Sequence, residues 1–80
     1  MSYDEDDDLH PPQGHPIEWT IRRIKALDFV TPKLEGLHVA SDNGNRKARE
    51  LLIAYNKCYD DWAESALVRL ERAVKAWQQA

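Results

Sequence analysis

The chain has 80 residues, a formal net charge of −3 and 42% apolar side chains, which suits one small domain and excludes two. One cysteine, Cys58, excludes an internal disulfide, no apolar run is long enough to span a membrane, and no basic start followed by an apolar core marks a signal peptide. A cytoplasmic protein is the expectation, and a domain this short buries only about 60% of the surface it exposes when unfolded, so it is marginal without a partner.

Charge divides the chain. Of its fourteen acids, five (Asp4, Glu5, Asp6, Asp7, Asp8) fall in residues 1–16, which hold no Lys or Arg, so residues 17–80 carry eleven basic against nine acidic groups, or +2. Residues 1–16 also contain Pro11, Pro12 and Pro16 and almost nothing to bury, and they read as an acidic tail that does not order alone. Residues 17–80 read as a single helical domain. His10 and His15 match no closed metal-ligand spacing, so neither a metal nor any other cofactor is expected.

Pro16 suits the first position of a helix, where its missing N–H costs nothing. Ile17, Ile21, Ile24 and Leu27 recur at helical spacing and Glu18 precedes Arg22 by four residues, which predicts a helix over 17–29. Trp19, Ala26 and Phe29 fall off that stripe, so the helix carries apolar groups on two sides and is expected between two neighbours. Thr31 and Pro32 form a start signal, with the hydroxyl as N-cap, for a short helix through Leu34, Leu37 and His38 to Ala40 that Gly36 weakens. Residues 41–45 read as a loop, with Asn43 and Gly44 suited to left-handed backbone and Asn43 or Asn45 capping the next helix.

Asn45 to Gln79 runs 35 residues without Gly or Pro. At 100° per residue, Ala48, Leu52, Tyr55, Tyr59, Trp62, Ala66, Leu70, Ala73 and Trp77 share a sector of about 80°. The stripe keeps its phase throughout, which predicts one continuous amphipathic helix about 52 Å long. Asp61 followed by Glu64 has the form of a capping box and offers the competing reading, two helices broken near Asp60. The expected fold is therefore all-α, a small bundle of two short helices packed on one long C-terminal amphipathic helix. The short helices span only about 33 Å. Tyr55, Tyr59, Trp62 and Trp77 should then leave apolar surface for a second chain, most simply in a homodimer.

No Ser-His-Asp order, phosphate loop or paired-carboxylate cleft can be assembled, so an enzyme with a small-molecule substrate is not expected. Cys58 reads as an inert thiol and His38 as a helix-end residue. Arg46, Lys47 and Arg49 open the long helix, where the dipole prefers acids, and with the free N–H groups they form a candidate site for a partner or an anion. Arg46 can instead pair with Glu50 on the surface. Two functions are compatible with these features. The first is a non-enzymatic helical interaction protein that binds another protein, as an adaptor, an assembly subunit or an inhibitor of the kind mobile elements encode. The alternative is a small nucleic-acid-binding regulator using Arg46, Lys47 and Arg49, with Arg22, Arg23 and Lys25 in support; its outline is that of a helix-turn-helix with an over-long turn.

Overall fold

The computed structural model describes residues 16–79. They form four α-helices, α1 (Ile17–Val30), α2 (Leu34–Asp42), α3 (Arg46–Asp60) and α4 (Glu64–Gln78), with a single 3-10 turn (Thr31–Lys33) between the first two. No strand occurs among the described residues, so the all-α bundle read from the sequence is the fold. The acidic run, His10 and His15 lie outside the described residues.

The expected long helix is two helices. α3 and α4 are each 15 residues, about 22 Å, and α4 folds back along α3 to form the most extensive packing in the molecule. Asp61 leaves the helix with extended backbone, φ −122° and ψ 126°, and its carboxylate accepts the Ala63 N–H at 3.0 Å. The capping-box pattern marked the right place with a different bond: the cap position of α4 is Ala63, and no side chain caps it. Unbroken phase did not discriminate, because two helices joined by three residues can each turn a stripe to one shared core.

Arg23 holds the break open. Ending α3 at Asp60 leaves its last carbonyls without intrahelical donors, and the buried Arg23 guanidinium of α1 donates to Cys58 O at 3.0 and 2.7 Å and to Tyr59 O at 2.7 Å. Its carbon lies 3.5 Å from the centre of the Trp62 ring, which in turn packs 5.3 Å from Trp19. A cation that donates three hydrogen bonds to carbonyls and stacks on an aromatic face can be buried. Arg23 is thus a structural residue, which withdraws it from any nucleic-acid surface.

The buried stripe of α1 is Trp19, Arg23 and Val30, with Ala26 and Leu27 partly buried beside it. Its other stripe faces out: Ile17 is 78% exposed, Ile21 46% and Ile24 49%. The two-sided helix was legible, but both of its neighbours among the described residues, α3 and α4, pack on the inner stripe and leave the outer one exposed. Thr31 does not act as an N-cap. Its backbone is helical and its hydroxyl donates back to Leu27 O at 2.8 Å, so the chain passes from α1 into α2 through the 3-10 turn that Pro32 imposes. α2 ends in a Schellman arrangement, with Asn45 N–H donating to Ala40 O, Gly44 N–H to Ser41 O, and Gly44 at φ 93° where a side chain would be strained. Asn45 then caps α3, its side chain accepting the Ala48 N–H at 3.1 Å.

Candidate functional site

The aromatic residues expected at an interface divide. Tyr55 is buried, and its hydroxyl sits 3.1 Å from that of Thr31. Trp62 and Trp77 are half-buried against the core, and Trp62 lies in the connection rather than on a helix. Of the four, Tyr59 alone is open, at 61% exposed, although it falls on the same apolar stripe as buried Tyr55. The uncovered stripe that argued for a second chain is largely covered by the fold-back of α4; beyond Val39 on α2 and Ile53 and Tyr59 on α3, the exposed large apolar surface among the described residues is found on α1.

That surface is the ridge of Ile17, Ile21 and Ile24. It lies on the side of α1 opposite Trp19 and Arg23, because residues two apart in a helix point about 200° from each other. Glu18 and Lys25 flank it on one side, both exposed. Three β-branched side chains left in water forgo burial that a partner would supply, at about 1.5–3 kcal/mol for each one fully covered.

Arg46, Lys47 and Arg49 are all exposed on the first turn of α3. None of their side chains is in an ion pair or hydrogen bond among the described residues, so the Arg46–Glu50 pair does not form. The structure does not gather the three into one site. Lys47 belongs to a groove of about 290 Å³ between α3 and α4, where it is joined by Arg69, Arg72 and Glu50 above a floor of Ala54, Ala73 and Ala76. Arg69 and Arg72 escaped the sequence reading because a continuous helix puts them far from Lys47; only the fold-back brings them together. Of the supporting cations, Arg22 donates to Glu71 through bonds of 3.0 and 2.5 Å, and these hydrogen bonds, with the carboxylate's charge, hold the guanidinium further above its already high range.

Cys58 is fully buried beneath Arg23, and its loss of hydration pushes the thiol above its ordinary range. His38 is exposed on α2. Among the described residues no group of three His, Cys, Asp or Glu side chains is placed to hold a metal ion, and no helix is long and apolar enough to cross a membrane. No family model matches the chain, and neither a curated protein nor a solved structure matches it.

Proposed function

We propose that this chain is a small non-enzymatic interaction protein that acts by binding another protein through the outer face of α1. The observation that carries the reading is the Ile17, Ile21 and Ile24 ridge, three exposed isoleucines at helical spacing on a helix whose opposite face already supplies the core. A helix with a free apolar stripe is suited to a hydrophobic groove or to a second helix. A second copy of the chain fits as well. Laid antiparallel, two α1 ridges bring Glu18 of each copy beside Lys25 of the other, so the pairing is self-complementary. The nucleic-acid alternative loses two of its supporting cations, since Arg22 is paired with Glu71 and Arg23 is buried, and it keeps Lys25, the exposed cations of α3 and, beside Lys47, Arg69 and Arg72 of α4.

A photo-crosslinking residue placed at Ile21, and separately at Arg46, tests the reading in native-host cells. Crosslinks to protein from position 21 that fall at least tenfold in an Ile17→Glu, Ile24→Glu background support it; crosslinks confined to position 46, and to nucleic acid, overturn it. Sedimentation from micromolar to millimolar concentration decides whether the partner is a second copy. Self-association lost in Ile21→Glu identifies the homodimer, and a monomer throughout makes the partner a different protein.

A further inference from the structure

We infer that the α3–α4 groove is a carboxylate-binding site whose occupant is the chain's own acidic run, Asp4 to Asp8. Lys47, Arg69 and Arg72 converge on it from two helices against the single acid Glu50, and none of the three cations is paired among the described residues. A local balance of +2 in the groove faces five consecutive carboxylates in a segment with no base. The alanine floor matters as much as the charge. Ala54, Ala73 and Ala76 keep the space between the helices open, so an extended backbone can lie low enough for its carboxylates to meet the guanidinium groups side-on.

Chain length permits the contact. Trp19 packs on Trp62 of the α3–α4 connection, which puts Pro16, three residues earlier, at that end of the hairpin. The near end of the groove, Ala54 and Arg69, lies five or six residues from the same connection, or about 9 Å along the axis. The eight steps from Pro16 back to Asp8 reach about 26–29 Å extended, enough to cover that distance and round a body whose shorter dimensions are 22 and 17 Å. From Asp8 to Asp4 the run then covers about 13–14 Å, against about 10 Å from Arg69 to Ala76. Each exposed pair is weak alone. The covalent link presents the run at millimolar effective concentration, which favours it over a free acidic peptide. The contact does not involve the α1 ridge, so it stands or falls separately from the proposed function.

A nitroxide on Ser2→Cys in the full chain tests this, since buried Cys58 escapes labelling in the folded protein. At low salt the Ala73 and Ala76 amides should be broadened several-fold more than in an otherwise identical chain carrying Lys47→Gln, Arg69→Gln and Arg72→Gln. The extra broadening should vanish in about 1 M salt, where the screening length is about 3 Å. All three substituted residues are exposed, so the variant folds, which its unchanged helicity verifies. Broadening that is uniform along α4, or that survives the triple substitution, overturns the assignment. So does the absence of any label-dependent broadening together with submicromolar binding of a short single-stranded oligonucleotide to the groove, which would make it a nucleic-acid site.

Discussion

The two faces of α1 invert the usual assignment of polarity. Its inner face buries a charged residue, Arg23 at 6% exposed, beside Trp19 at 2%, while its outer face leaves Ile17 and two further isoleucines in water. Hydropathy alone would turn the helix round. The observed orientation wins because the inner face does two jobs the isoleucines cannot: Trp19 fills the space under Trp62, and Arg23 supplies donors to the carbonyls freed where α3 stops. A buried guanidinium that donates to both carbonyls offsets much of its own burial, whereas orphaned helix-end carbonyls beneath an indole would cost about 1–3 kcal/mol each. The isoleucines are then left over, and their exposure points to something other than folding.

Substitutions along α1 and at its contacts separate these roles. Trp19→Ala removes the largest ring in the core and should cost about 3–5 kcal/mol in urea unfolding. Arg23→Met keeps the stem but leaves Cys58 O and Tyr59 O without their donors, for a loss of about 2–3 kcal/mol and faster amide exchange in the last turn of α3. Trp62→Ala, at a half-buried position, should cost about 1–2 kcal/mol through the lost guanidinium stacking. Ile21→Glu should change stability by less than about 0.5 kcal/mol, because the position is a solvated helix surface, while it removes partner binding. A stability loss for Ile21→Glu matching that of Trp19→Ala would mean that the faces are reversed.

Cys58 reports on the same packing from the other side. The buried thiol, pushed up by desolvation, should resist alkylation at neutral pH in the native state and react freely in urea. Arg23 draws the thiol down against that desolvation, so Arg23→Met by itself disfavours the thiolate, and a net rise in native-state reactivity is expected only through opening of the last turn of α3, where Cys58 O and Tyr59 O lose their donors. Equal reactivity in the two chains would show that Arg23 does not cover the end of α3.

Helix positions were largely readable. The start of α1, the Gly44 turn and the Asn45 cap arise from residue chemistry acting within a few positions, and the structure has them; the stripe of α3 holds only in part, since Tyr59 is exposed and Leu51, Ala54 and Cys58, all outside it, are buried. The break at 61–63 was visible only as an alternative, because Asp60 and Asp61 are compatible with either an exposed turn of helix or a cap. What decides between them is Arg23, 35 residues away from Cys58, and no local pattern announces that contact. The same limit applies to the candidate surfaces. Lys47 was singled out from its place on a helix start, but its companions Arg69 and Arg72 become neighbours only through the fold-back. The isoleucine ridge was legible as a stripe but could not be told from the core stripe, since both recur at helical spacing.

The four isoleucines of the chain, at positions 17, 21, 24 and 53, give a direct test, because each carries one δ1 methyl group and all four are exposed. Their relaxation by a soluble paramagnetic probe, measured at a concentration where the protein is monomeric, reads solvent access without any substitution. The outward orientation of α1 predicts strong attenuation of Ile17, Ile21 and Ile24 to the level of Ile53, with the methyl groups of Leu37, Leu67 and Leu70 spared. Ile17, Ile21 and Ile24 as protected as those leucines would place the ridge in the core and contradict the account.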